Sequence, residues 1–469
     1  MTLASSPAPP LLPTWNGRRP ADVVAMRGAE LPGIVALPIR MLTPWLPEPI
    51  WSAGAPDDVG EVRARTRRRV EAMDWSMIRE RARVNLLANP HGFALCGMAY
   101  VAMLEEIRTH VERETGATVR LRIAESMGHI ENPDWMKIFD LPERFGDAKE
   151  CPQIDAGTEI STRVGRMWVN RKLFQCDHFI HTHVTEMREG YLHRMLDRLY
   201  KPFGMGYTRV ETRSGYHFGY GPRTGQLVAR AIFESDFVQE RYTGTVVLNT
   251  SPEGVVDVDG ANDLAELNSR VSLDLFRNYG TLIRLMAEID ECIVVFDGHG
   301  NTVYCYAGGI PFDVLYFSNV DFLDLDNPAI LTPMLPESAR ELFGPYASGE
   351  NAAVKALVVN YMAGGIPYTY LIDKIPTLVV GPTLWEWLTT DPSACMLSRL
   401  AARAEDLPAA MHVARNIART DKVLVYDGLQ GAMHVSESLA DHLLARAPDV
   451  AEHVRSTLLP RWLAQRNLA

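Results

Sequence analysis

The chain reads as an α/β protein of two domains, each a mostly parallel sheet flanked by helices, with the active site in the cleft between them. Three observations predict this. Strand-like and helix-like segments alternate along most of the chain, which implies parallel strands joined by helical crossovers. The length, 469 residues, exceeds what one hydrophobic core ordinarily supports. Polar residues recur just past predicted strands, where open parallel sheets bind ligands.

The first strand is the apolar run Val84-Asn85-Leu86-Leu87-Ala88, which leads into the turn Asn89-Pro90-His91-Gly92. A helical spacing follows from Cys96 to Glu114, with Met98, Val101, Met103, Leu104 and Ile107 on its apolar face and Thr115-Gly116 as its stop. Val119 to Ala124 alternates as a strand does, ends at Glu125-Ser126-Met127-Gly128-His129, and runs into a helix over Pro133 to Phe139. An apolar run opening near Trp168 closes at His183.

After a helix over Asp263 to Met286 a second unit begins. Its expected strands are Ile289 to Phe296, Val354 to Tyr361, Thr377 to Val380 and Asp421 to Tyr426, with helices over Ala409 to Ala418 and Glu437 to Ala445. The expected division is a disordered lead-in over 1–20, an N-terminal α/β domain over 21–280 carrying the histidine cluster, a C-terminal α/β domain over 281–449 and a C-terminal helix over 450–469.

Composition limits the functional classes. With 47% hydrophobic and 22% charged residues the chain is ordinary for a globular protein. Its net charge of −11 argues against a general nucleic-acid or anionic-membrane binder, because such binding neutralises phosphates with clustered Lys and Arg. The basic run Arg63 to Arg69 is then a solvated helix face. Six cysteines without a CxxC pair form neither a zinc ribbon nor a disulfide framework, which suits reduced thiols in a cytoplasm. Met1 to Pro13 lacks the pattern of a secretory signal, and no apolar segment reaches the roughly 20 residues of a membrane-spanning helix. The expected partner is a small-molecule substrate, with a homodimer compatible.

The most informative stretch is Asp177-His178-Phe179-Ile180-His181-Thr182-His183, followed by Glu186, Arg188 and His193. In a strand, residues i and i+2 share a face, so His181 and His183 project together. That arrangement presents imidazoles to a substrate or a metal; it equally suits hydrogen-bonded core histidines. Arg188, Arg194, Arg209, Arg213 and Arg223 crowd the following segment. Their guanidinium forks, with Tyr191 among them, suit a substrate carboxylate or cofactor phosphate, or else pair with Glu186, Glu189, Asp197 and Glu211 at the surface. In another reading His178, His181, His183 and His193 hold a divalent metal, nickel or zinc, that activates water or polarises a carbonyl in a hydrolase or lyase.

The order of several segments resembles the nickel-pincer-dependent lactate racemase family, enzymes that racemise or epimerise 2-hydroxy acids. The segments are Val119 to His129, then Val169-Asn170-Arg171-Lys172 with Asp177, then Gly308-Gly309-Ile310-Pro311-Phe312-Asp313, and Ala414 to Val423 leading into a late strand. The resemblance implies an isomerase in which a nickel-pincer nucleotide takes a hydride from the hydroxyl-bearing carbon while a histidine takes the hydroxyl proton. It makes His129 the first catalytic histidine and His183 the second, with His181 next to it. Asn89, His91 and Gly92 stand where the family binds the cofactor phosphate, but without its arginine. Lys201 is either a displaced counterpart of the lysine that carries the pincer, whose Gly-Phe-Ser-Gly-Gly-x-Lys loop this sequence lacks, or an exposed solvated lysine. His217 stands near the place of the nickel-ligating histidine. A scaffold of this kind that has lost its chemistry would serve as a ligand-binding relative.

Overall fold

A computed structural model describes residues 25–125, 134–185, 199–215, 221–286, 288–299, 353–363, 375–390 and 401–465. The lead-in over 1–20 and the Gly308 to Asp313 motif lie outside the described residues. In chain order the strands are β1 (Ile34–Pro38), β2 (Arg83–Ala88), β3 (Thr118–Ala124), β4 (Ala148–Cys151), β5 (Gly157–Thr162), β6 (Gly165–Asn170), β7 (His178–Val184), β8 (Tyr242–Ser251), β9 (Gly254–Ala261), β10 (Cys292–His299), β11 (Val354–Ala363), β12 (Thr377–Val380), β13 (Ala401–Ala404), β14 (Val423–Tyr426) and β15 (Ala432–Ser436). The principal helices are α1 (Gly60–Glu71), α2 (Pro90–Thr115), α3 (Lys201–Gly204), α4 (Gly221–Phe233), α5 (Leu264–Met286), α6 (Leu407–Ala418) and α7 (Glu437–His453). The protein is α/β, with mostly parallel mixed sheets flanked by helices.

One compact unit comprises Pro47–Leu275. Its sheet has the order β4-β3-β2-β7-β8-β9, parallel except for β9. From β2 the chain steps outward through β3 to β4, then returns to the other side of β2 for β7 and β8. The order therefore reverses between β2 and β7, and the crevice at such a reversal, beyond the carboxyl ends of the strands, is where open α/β sheets bind ligands. Strand β8 is buried at every position, as a strand covered on both faces must be. It escaped the sequence reading, although Tyr242-Thr243-Gly244-Thr245-Val246-Val247-Leu248 is rich in β-branched residues. Strands β5 and β6 form a separate antiparallel hairpin, so the run from Trp168 to His183 is two strands, β6 and β7, with a short helix, Arg171–Phe174, between them.

The other unit comprises Met1–Leu46 and Phe276–Ala469, with sheet order β1-β15-β14-β10-β11-β12-β13. Here the contents differ from the division expected over 21–280 and 281–449. Strand β1 pairs antiparallel with β15, Ile34 opposite Ser436 and Pro38 opposite Ala432, so residues 34–38 complete a sheet built by the far end of the chain. Strands β14, β10, β11, β12 and β13 are parallel. Nor does a separate helix begin at 450. Helix α7 runs through Pro448 to His453 and continues as a π-turn over Val454–Leu458 and a last helix over Leu459–Gln465.

Helix α2 begins at Pro90, six residues before the expected start at Cys96. Asn89 is its N-cap, its side chain accepting from the His91 amide, and Pro90 occupies the first helical position, where it loses no hydrogen bond. What reads as a turn is therefore the helix's first turn. Gly97 (φ 45°, ψ −124°) interrupts the helix in a positive-φ conformation that glycine adopts readily, and Gly116 (φ 67°, ψ 13°) caps its end in the left-handed region.

Candidate functional site

The site is built where β2 and β7 end side by side. The register places Leu87 opposite His181, so Asn89, two residues on, comes level with His183. Alternation along β7 sends Phe179, His181 and His183 to one face and His178, Ile180 and Thr182 to the other. The histidine face carries Val247 of β8, opposite His183, and packs into a core that includes Phe179, Phe203 and Tyr207. The two imidazoles do share a face, as period-two spacing requires, with ring centroids 5.8 Å apart and planes at 29°.

Their surroundings differ. His181 is fully buried, its Nδ1 lies 2.6 Å from Tyr207 Oη, and Phe203 and Tyr207 both pack edge-on against its ring. Burial pushes its pKa down to about 3, the Leu199 backbone offsetting only part of the effect, so the ring stays neutral across physiological pH. His183 stands at the strand's end. Its Nδ1 is 3.2 Å from Asn89 Nδ2, while Asn89 Oδ1 accepts from the His91 N–H at 2.9 Å.

A relay on the opposite face locks the two strand ends together. The Asn89 N–H donates to Tyr100 Oη (2.9 Å), Tyr100 Oη lies 2.7 Å from Thr182 Oγ1, and Thr182 Oγ1 donates to the Leu87 carbonyl (2.7 Å). Thr182 uses its hydroxyl hydrogen on Leu87, so the Tyr100 hydroxyl is the donor to Thr182. Neither Tyr100, Thr182 nor Tyr207 was singled out in the sequence, because nothing in local spacing shows that they meet across separate elements.

Polar groups gather at the same edge. Asn249, third from the end of β8, is 3% exposed, and its Oδ1 is buried without a hydrogen-bond partner. It continues the face of Thr245 and Val247, opposite His181 and His183. Its signal was a polar residue closing an apolar strand. Glu125, directly after β3, is 2% exposed and faces Glu150 of β4. Burial first, then the hydrogen bond and charge of Glu125, push the Glu150 carboxyl up to about 7. Buried polar groups left unsatisfied are uncommon, and they concentrate where proteins hold ligands.

The other residues expected at a site fall as follows. The His91 and Gly92 amides are consumed by the cap, on Asn89 Oδ1 and on the Asn89 carbonyl (2.9 Å each). Gly92 is explained by packing, since a Cβ there would come within 2.4 Å of the Tyr100 ring. Lys201 is buried and opens α3, whose Phe203 packs on His181. Asn170 caps the helix after β6 through the Lys172 amide, and Asp177 accepts from the Arg83 N–H at the amino end of β2, so both act in the scaffold. Arg209 pairs with Glu211 at 2.9 Å. His129, Arg188, Tyr191, His193, Arg194 and His217 lie outside the described residues.

The metal reading that unites His178 with His181 and His183 is not formed. His178 lies on the opposite face, three residues and about 10 Å back along the strand. Among the described residues no three His, Cys, Asp or Glu side chains are placed to hold one metal ion. The His91 and Gly92 amides, expected to meet a cofactor phosphate, already serve the cap of α2.

No protein-family model matches the chain, and no curated protein is similar to it. Among solved structures, the lactate racemase apoprotein from Thermoanaerobacterium thermosaccharolyticum matches with a TM-score of 0.35 and 12% identity, over 79% of this chain and 92% of that one. Among the described residues no helix is long and apolar enough to cross a membrane.

Proposed function

We propose that the protein is a racemase- or epimerase-like isomerase acting on a small 2-hydroxy acid at the carboxyl edge of the Pro47–Leu275 sheet, with imidazoles handling the substrate's hydroxyl group. The observation that carries the proposal is the position of His183: held by Asn89 at the point where the strand order reverses, beside a second imidazole that burial keeps neutral. The ordered segments that resemble lactate racemases support the same reaction class.

His183 is the group assigned to meet the substrate, and His181 backs it. A fully buried ring that resists protonation is a poor proton acceptor but a firm support.

The test is to incubate the purified protein with single enantiomers of a panel of short 2-hydroxy acids, with and without nickel and the pincer nucleotide, and follow stereochemistry by chiral chromatography. The expected result is loss of enantiomeric purity for at least one acid, reduced at least a hundredfold by His183→Gln. Retention of configuration across the panel under both conditions overturns the proposal.

A further inference from the structure

We propose that Asn89 is a positioning residue that fixes the tautomer of His183, so that the ring meets its ligand as a hydrogen-bond donor through Nε2–H. The inference rests on the reading of His183 as the substrate-facing group and goes beyond it by assigning its proton.

The His91 N–H needs an acceptor, and Asn89 supplies Oδ1 at 2.9 Å. That bond orients the carboxamide, because turning it over would set the Asn89 NH2 group against the His91 N–H, donor against donor, and break the cap of α2. With Oδ1 engaged, the atom facing His183 Nδ1 at 3.2 Å is Nδ2, which can only donate. Nδ1 must then be the acceptor, without a proton. In a neutral imidazole the proton therefore resides on Nε2. A cationic ring would turn a second N–H toward the same NH2 group, so the contact disfavours imidazolium as well.

The consequence concerns role. A ring in this state cannot take a proton at Nε2. It can donate a strong hydrogen bond to a ligand oxygen and stabilise negative charge that develops there, as neutral imidazoles do when they act as electrophiles. Removal of the hydroxyl proton then belongs to a different group of the site.

The experiment is a long-range proton–nitrogen correlation spectrum of ligand-free protein labelled at the histidine ring nitrogens, with the His183 signals identified by their loss in His183→Gln. The expected spectrum shows an unprotonated Nδ1 and a protonated Nε2 near neutral pH. In Asn89→Asp, which keeps an equally good helix cap but faces Nδ1 with a carboxylate oxygen, Nδ1 should become protonated. Asn89→Ser, which caps α2 but offers no NH2, should give a mixture of tautomers. A wild-type ring protonated at Nδ1, or a spectrum unchanged in Asn89→Asp, overturns the inference. Because no substrate is present, either outcome is independent of the stereochemical assay, so failure of the tautomer assignment and failure of the isomerase reading are told apart.

Discussion

Tyr207 Oη lies 2.6 Å from His181 Nδ1, and both rings are fully buried. The pairing makes His181 a structural partner of the site, and it has a signature in pH. Burial holds the ring's pKa at about 3 against an ordinary 6.5, so between these values the unfolded chain binds a proton that the folded protein refuses. This contribution to stability is complete above pH 6.5 and is lost as pH falls toward 3, with a slope of about 1.4 kcal/mol per pH unit for the single group. Denaturant titrations at a series of pH values should show that slope in the wild type and its loss in His181→Leu. Tyr207→Phe should cost about 1–3 kcal/mol by leaving Nδ1 buried without its partner.

Glu150 should produce the opposite slope. Its carboxyl is raised to about 7 by burial and by Glu125, so the folded protein holds a proton that the unfolded chain releases near 4.5. Stability from this group is present below pH 4.5 and declines as pH rises toward 7. Glu150→Gln should therefore raise the Tm at pH 8 and leave it nearly unchanged at pH 4. An equal change at both would mean that the carboxyl's ionisation is not what the substitution relieves.

Asn249 presents a buried acceptor with no partner. Replacement by the similarly sized Leu removes an unsatisfied polar atom and should stabilise the ligand-free protein by about 1 kcal/mol, read by chemical denaturation. If the carboxamide serves a ligand, the same variant should also lose binding of 2-hydroxy acids. A less stable Asn249→Leu would show that the amide supports the fold.

In the other unit, Asp297 is fully buried and accepts from Arg27 Nε (2.9 Å), the Gly28 N–H (2.6 Å) and Asn360 Nδ2 (3.0 Å). The contacts tie the N-terminal segment to the carboxyl end of β10. Arg27→Ala leaves a buried carboxylate without its counter-charge and should cost about 3–5 kcal/mol, part of which Arg27→Ala/Asp297→Asn should recover. A double variant no more stable than the single one would assign the loss to the arginine's packing.

Much of the architecture was legible in short-range pattern. The alternation of strands and helices predicted the α/β class, and the runs at Val84 to Ala88, Val119 to Ala124 and Val354 to Tyr361 are strands within a residue or a few of the expected bounds. The misses have local causes. Asn89-Pro90 has turn composition, yet an Asn cap followed by Pro is also how helices begin. Strand β1 is five residues long, too short to stand out, and what makes it a strand is a partner nearly 400 residues later in the chain.

By itself the sequence determined that His181 and His183 share a face, since side-chain direction alternates along any strand, and that Asn89 follows one strand while His183 lies near the end of another. Only the tertiary structure decided that β2 and β7 are neighbours, which brings Asn89 to within 3.2 Å of His183, and that Phe203 and Tyr207 close over His181. Strand order and burial depend on pairings between segments far apart in the chain. Local periodicity carries no record of them, while the neutrality of His181 follows from the burial they create.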